Sequence, residues 1–379
     1  MIQAAKTYHV GKASITRIDE LQLAAFKFDA LYPGAEPQSL ERHRDQLEAG
    51  SFDPVAGTFI QSIHSWLVRR PHHTILIDTA TGNNKNRPEI PSLHQLNEPF
   101  LARLAAAGVT PEQVDHVLLT HVHADHVGWN MRLADGRWIP TFPNATYVFS
   151  GIEQAYGESL ATGTQPTGTA RPAPALGPAL RKPADRVYDD SVRPVIESGL
   201  ARLIAVDGGE VLEGISFIPT PGHSIDHASI RLVSGGEQAL FAGDVMHHPL
   251  QVYEPSLNSC FCEFPEAAWA SRQLSQGAGS GLQGALAIGC TGSRPSELDR
   301  ERLPPRGCLL HRETTRVATF KMRLPVKPNE APVRAAHPTS ASFPPKPRAS
   351  TATGSTDRRV ASDDTGRSTC RNAAWDCSR

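Results

Sequence analysis

Four residues of metal-ligating type fall within six positions: His121, His123, Asp125 and His126. Imidazole nitrogen and carboxylate oxygen together suit zinc, iron or manganese. His121 and His123 are two apart, so on an extended backbone their side chains share one face. Asp125 and His126 follow where the chain turns, so they can point at a second ion beside the first. The chemistry open to such a group is hydrolysis. A bound divalent ion can lower the pKa of water from 15.7 to about 7 and polarise a carbonyl or phosphoryl oxygen. No serine stands in a Gly-x-Ser-x-Gly setting, which disfavours a covalent acyl-enzyme.

These side chains need a rigid frame. Residues 114–119 (Val-Asp-His-Val-Leu-Leu) are apolar and β-branched, and read as a buried strand that ends at the motif. Before it, residues 97–107 predict an amphipathic helix that stops at Gly108. Further upstream, residues 12–18, 58–68 and 74–77 read as strands, the last two joined by a turn at Arg70-Pro71. Residues 28–58 read mostly as loop, with a polar helix near 40–47. Downstream, Asp135-Gly136 signals a turn, and residues 145–149 form a strand. Residues 158–186 are rich in Gly, Pro, Ala and Thr and read as an insertion that covers the site as a lid or stays mobile. Then come a helix at 187–200 that runs into Leu203-Ile204-Ala205-Val206, strands at 216–218, 228–232 and 239–242, and a helix at 265–272. This order predicts an α/β (α+β) architecture, two β-sheets packed face to face with helices outside.

With 379 residues, 39% hydrophobic and 20% charged, the chain suffices for one large domain or two small ones. A net charge of −1 sets up no field for nucleic acid or membrane. The first residues, Met1-Ile2-Gln3-Ala4-Ala5-Lys6, carry no apolar segment of signal or membrane type, so a cytoplasmic location is expected. All six cysteines lie at or beyond Cys260, and no disulfide framework is read from them.

Together with Thr220-Pro221-Gly222-His223-Ser224 and Phe241-Ala242-Gly243-Asp244, the histidine motif resembles the signature of the metallo-β-lactamase-fold hydrolase superfamily, over about residues 10–275. The resemblance implies an αββα sandwich of two mixed sheets. It implies two divalent ions, zinc first, with manganese, iron or cobalt as alternatives. His121, His123 and His223 would hold one ion. Asp125 and His126 would hold the other, with Asp244 bridging and Asp125 also handling the proton. Asp78 would orient a histidine ligand, and His227 would support the site through a hydrogen bond. His247 and Trp129 are the expected substrate contacts, and Trp66, Trp138 and Phe142 could wall an apolar pocket. Histidine at position 123, where oxygen-reducing relatives carry glutamate, favours hydrolysis.

The chain departs from the pattern in one respect. The family completes the second ion with a histidine some forty to fifty residues past the bridging aspartate. Here no histidine stands between Pro249 and Leu310. His311 lies beyond that interval and is a weak substitute. Past about residue 273 the composition shifts to Gly, Ser, Arg and Pro, and after about Val326 no segment shows helical or strand periodicity, so residues from about 276 are expected to be poorly packed and those from about 325 disordered. Residues 276–379 are therefore expected to be a low-order tail, either a natural extension or the product of a shifted reading frame.

The expected function is a cytoplasmic, binuclear metal-dependent hydrolase of small neutral esters: lactones, carboxylic esters or phosphotriesters. The stretch 127–138 and the stretch 243–249 look like the lactonase and organophosphate-hydrolase branch. Such lactonases often place a tyrosine where His247 stands. The expected partner is the small-molecule substrate, with no nucleic acid and no membrane; a homodimer stays open. Two alternatives stand beside this: a pseudoenzyme or scaffold with an incomplete second site, and a glyoxalase-type thiolesterase.

Overall fold

The computed structural model describes residues 6–47, 50–164, 176–281 and 286–289; of residue 25 and of residues after 274 it describes the backbone alone. The first sheet contains β1 (Thr7–Val10), β2 (Ala13–Phe26), β3 (Phe52–Asp53), β4 (Thr58–Arg70), β5 (His73–Ile77) and β6 (His116–Leu118). A separate hairpin, β7 (Met131–Ala134) with β8 (Arg137–Pro140), precedes β9 (Thr146–Ser150) and β10 (Ala201–Ile204), which return to the first sheet. The second sheet is β11 (Glu210–Leu212), β12 (Ile215–Pro219), β13 (Ala228–Ser234), β14 (Glu237–Gly243) and β15 (Leu286–Gly289). The first sheet runs β1-β2-β4-β5-β6-β9-β10, antiparallel as far as β5 and parallel from there. Both sheets are mixed, since β14 and β15 are parallel in the second.

Period-two alternation explains how the sheets stack. On the central strands of the first sheet, Trp66, Val68, Ile75, Ile77, Leu118 and Val148 face Phe217, Ile230, Leu232 and Phe241 of the second. The intervening Leu67, Leu76, Val117, Tyr147 and Phe149 point the other way, against Phe100, Leu104, Val192 and Val195 of the outer helices. Strands buried on both faces read as continuous apolar runs. Each fully buried Phe or Leu side chain contributes roughly 1.5–3 kcal/mol. The helix Pro265–Gly281 lies in the crossover that a parallel β14–β15 pair requires. The expected sandwich with helices outside is thus the observed fold.

Local signals held where the backbone demanded them. Gly108, with φ +79°, follows the helix Phe100–Ala106. Asp135 and Gly136 both have positive φ between β7 and β8, a two-residue hairpin turn that needs such residues. Other boundaries moved. Helix Gly151–Thr162 begins inside what reads as plain chain and runs into the expected insertion, of which residues 165–175 lie outside the described residues. The predicted helix at 187–200 is a π turn, Tyr188–Val192, followed by Arg193–Glu197. Proline at 194 has no N–H to give the carbonyl of Asp190; the Lys85 ammonium donates to that oxygen instead, at 3.0 Å. The helix from Pro265 runs to Gly281, beyond the expected domain edge at 275. His311 and the tail expectation for residues 290–379 lie outside the described residues.

Candidate metal centre

Four strand ends meet at one rim of the sandwich. His121 and His123 follow β6, and Asp125 and His126 occupy the single-turn helix Ala124–Val127. His223 stands in the turn after β12, and Asp244 directly follows β14. Asp78 follows β5 with φ +56°, an uncommon conformation for a non-glycine residue. The loop it opens pins the motif in place. Thr79 N–H donates to the His126 carbonyl, and Gly128 N–H donates to the Ala80 carbonyl, each at 2.7 Å. Only glycine fits at 128, because a Cβ there would stand 1.6 Å from the Thr81 carbonyl oxygen.

The ring nitrogens converge. His223 Nε2 lies 3.1 Å from His121 Nε2 and 2.8 Å from His123 Nδ1. The Asp244 carboxylate approaches from the side, with Oδ2 3.3 Å from His223 Nε2 and Oδ1 3.3 Å from His126 Nε2. Asp125 Oδ2 is 3.8 Å from His126 Nε2. His121, His123 and His223 form one group able to hold an ion, and His121, His126 and Asp244 form another.

Each ring's outward nitrogen has a partner that fixes its orientation. His126 Nδ1 donates to Asp78 Oδ2 at 2.9 Å. His121 Nδ1 meets the Thr120 hydroxyl at 3.0 Å, and that hydroxyl donates to the same Asp78 carboxylate at 2.8 Å. His123 Nε2 donates to Glu263 Oε1 at 2.7 Å. His223 Nδ1 meets His247 Nε2 at 3.1 Å, and His247 Nδ1 meets Ser259 Oγ at 3.0 Å. With the outward nitrogens assigned as donors, the lone pairs of His121, His123 and His223 face inward toward one another. Lone pairs so opposed repel unless a cation lies between them. Asp244 Oδ1, buried and without a hydrogen-bond partner, adds a negative atom to the same space. The donor set therefore fits a divalent cation, and the outward carboxylates supply the support that metal-bound histidines use.

Electrostatics agree. Burial, then the neighbouring imidazoles, hold His121 and His223 well below the usual histidine range. Burial, with Arg181 next, takes His123 to about 3. These rings are neutral at pH 7, the form that ligates metal. Burial alone would lower His126 as well, but the carboxylates of Asp244, Asp78 and Asp125 outweigh it and hold it up. Burial pushes the Asp125 carboxyl up, and Asp244 adds to the effect.

His227 accepts from the backbone N–H of Asp244 at 2.9 Å, so it carries the backbone of that aspartate. His247 borders the cleft, with its Nε2 turned to His223. Trp129, expected at the substrate, is instead a core residue. It stacks on Phe100 at 5.3 Å and donates to buried Glu20 at 2.6 Å. Trp66 and Phe142 are buried likewise, and Trp138 lies under the Lys85 ammonium. Aromatic residues go where they bury most area, and here that is the core. The cleft above the metal-type residues opens to solvent. Leu23, Ile63, Ile90 and Leu93 line it on the aliphatic side, and Phe261 and Arg181 also border it.

Sequence reasoning missed Glu263 and Glu153. Glu263 is fully buried between His123 and the Tyr156 hydroxyl. Glu153 accepts from Ser224 Oγ and Asp226 N–H, at 2.6 and 2.7 Å, and so holds the turn that carries His223. Burial lifts both carboxyls to about 8. A lone acid flanked by Phe261, Cys262 and Phe264 was the available signal for Glu263.

Comparison with solved structures finds the same fold. A hydrolase of the beta lactamase superfamily, AbOPH, is 22% identical with a TM-score of 0.57, covering 77% of this chain and 91% of its own. The dizinc quorum-quenching lactonase AidC, in complex with a homoserine product, is 16% identical with a TM-score of 0.58, covering 76% and 91%. A probable metal-dependent hydrolase from Staphylococcus aureus is 18% identical with a TM-score of 0.57, covering 75% and 91%. No curated protein matches the chain. The model of the metallo-beta-lactamase superfamily matches residues 60–276, which is more than half of the 379 and spans all six residues of the centre. By that match, the chain belongs to the metallo-beta-lactamase superfamily.

Proposed function

We propose that this chain is a metal-dependent hydrolase of small esters or lactones, with phosphotriesters as further substrates. The observation that carries the reading is the convergence of His121 Nε2 and His123 Nδ1 on His223 Nε2, at 3.1 and 2.8 Å, with the outer nitrogen of each ring engaged. His121, His123 and His223 would hold one divalent ion and Asp125 and His126 a second, with Asp244 a donor within reach of both groups. Zinc is the expected metal, although the same donors take manganese, iron or cobalt. Ions bound there supply Lewis acidity, polarising the substrate oxygen and making water acidic.

The chain's own residues do the rest. Hydrolysis joins the oxygen of water to the acyl carbon, breaks the bond from that carbon to the leaving oxygen, and delivers one water proton to that oxygen. Asp125 has a side chain 21% exposed, more than the other residues of the centre, and lines the cleft. It is the group placed to hold that proton in transit. The aliphatic wall of Leu23, Ile63, Ile90 and Leu93 receives the apolar part of the substrate. Two structures that share the fold are described as a hydrolase and a dizinc lactonase, the same class of chemistry.

The test is elemental analysis of the purified full chain beside hydrolysis of a lactone, a 4-nitrophenyl ester and a glutathione thioester. Two ions per chain with turnover of the lactone or ester is the expected result. Turnover of the thioester alone would transfer the assignment to a thiolesterase. A chain that holds no metal and turns over none of the three would be a scaffold.

A further inference from the structure

His223 has a second edge. It turns Nε2 to His121 and His123, and Nδ1 to His247. Beside that second edge stands Cys262, buried like both histidines. One donor atom each of His223, His247 and Cys262 lies within 4.8 Å of the others, so a group containing sulfur adjoins the centre and shares one ring with it. Ser259 touches two of its members: the hydroxyl is 3.0 Å from His247 Nδ1 and 3.7 Å from Cys262 Sγ. His223 and His247 line the cleft, which gives an ion a path to them.

A separate observation concerns charge. Arg272 is fully buried, and its guanidinium donates to the carbonyls of Pro255 and Val245 and to the Asn258 amide oxygen, all of them uncharged. Among the described residues no carboxylate pairs with it; the side chains acting on it that can become anions are Cys262 and Tyr32. A buried charge is costly unless it is paired. A thiolate at Cys262 is the counter-charge that Arg272 lacks. Burial pushes the Cys262 thiol up, with Arg272 pulling it down, and a metal ion that binds the sulfur removes the proton outright.

We propose that His223, His247 and Cys262 form an alternative site for a soft cation, cuprous ion first, and that filling it draws His223 away from the centre. Thiolate and imidazole together suit copper(I), whereas the carboxylates of the centre suit harder ions. A neutral imidazole has one lone pair to give. When His223 offers Nδ1 to the soft ion, its ring proton sits on Nε2, and the centre loses that donor. Two bonds from nitrogen and one from sulfur form, the thiol proton goes to solvent, and no electron changes hands. The donor set stands without the hydrolase reading; the withdrawal of His223 rests on that reading of the centre.

The experiment titrates the zinc-loaded full chain with cuprous ion under anaerobic conditions, with bicinchoninate as the competing chelator and a zinc indicator present. The expected result is a tightest site for one cuprous ion per chain, with zinc released as it fills. Cys262→Ser is expected to weaken that site at least tenfold and to keep its zinc. A variant that retains Cys262 while the other five cysteines become serine is expected to stay within twofold of wild type. Equal copper affinity in wild type and Cys262→Ser would overturn the site. Copper bound through Cys262 with all zinc retained would overturn the withdrawal of His223. A chain that holds no zinc, yet binds copper through Cys262, sinks the reading of the centre and leaves the soft site standing. If Cys262→Ser does not fold, His247→Gln replaces it, with the same tenfold loss of copper expected because an imidazole donor is gone.

Discussion

At the scale of single residues, His247 is defined by what it touches. Its Nε2 is turned to His223 Nδ1 and its Nδ1 to Ser259, so it fixes which nitrogen of His223 faces the centre. His247→Phe removes that acceptor, and metal affinity is expected to fall about 10- to 100-fold, read by competition with a chromogenic chelator. His247→Gln keeps an acceptor oxygen and is expected to recover most of the loss; equal losses in the two variants would refute the role. The residues legible in the sequence were those whose spacing is local: His121, His123, Asp125 and His126. Asp78 and His227 followed from the family resemblance, and their contacts agree. Glu263 and Trp129 were not legible because tertiary distance decides them. Glu263 reaches His123 across 140 residues, and Trp129 reaches Glu20 across 109. Periodicity carries no information about such pairs.

At the scale of elements, two joints govern how the frame holds the centre. The first is Lys85 with the π turn Tyr188–Val192. Lys85 is fully buried, its ammonium 3.8 Å from the centroid of the Trp138 ring and 3.7 Å from Asp190 Oδ1. Arg87 holds the same carboxylate through two bonds, at 2.7 and 2.8 Å. Burial, opposed only in part by Asp190, takes the Lys85 amine from 10.5 to about 7. Between these two values the unfolded chain binds the proton and the folded one does not, so stability rises with pH from about 7 to about 10.5. Lys85→Met is expected to flatten that rise, as measured by urea unfolding at several pH values. The second joint is Gly222, beside His223, with φ +127° and space for a Cβ only 2.0 Å from the Ala268 backbone nitrogen. Gly222→Ala must displace either the His223 turn or the helix from Pro265. The expected cost is about 3 kcal/mol or more, seen as a lowered Tm, with weakened metal binding. The helix at 187–200 was visible as an apolar period. Its π turn was not, because Pro194 became tolerable through Lys85, more than a hundred residues away in sequence.

At the scale of the whole molecule, two sheets share one apolar layer. Phe241 on the second sheet meets Trp66 on the first at 6.2 Å between centroids, and both are buried. Phe241→Ala is expected to cost about 3–5 kcal/mol in denaturant unfolding, the usual range for emptying such a site. The sandwich itself was readable from the order of strands, since runs buried on both faces have few other homes. No helix among the described residues is long and apolar enough to cross a membrane.

The ends of β6, β12 and β14 have a mechanical consequence. His121 rides on the first sheet, whereas His223 and Asp244 ride on the second. Among the described residues no strand of one sheet pairs with a strand of the other; an apolar layer holds the plates together, with single bonds such as Ala228 N–H to the Thr120 carbonyl at 2.9 Å across it. A cation held by all three side chains, as proposed above, would act as a rivet at one rim. Shear of plate against plate would strain that rivet, while the opposite rim is held by Gly11 N–H on the Glu237 carboxylate at 2.9 Å and Lys12 N–H on the Ser234 hydroxyl at 3.0 Å. Pulling along the strands should therefore meet higher resistance in the metal-loaded chain than in the chelated one, with the difference concentrated where the six residues of the candidate centre gather.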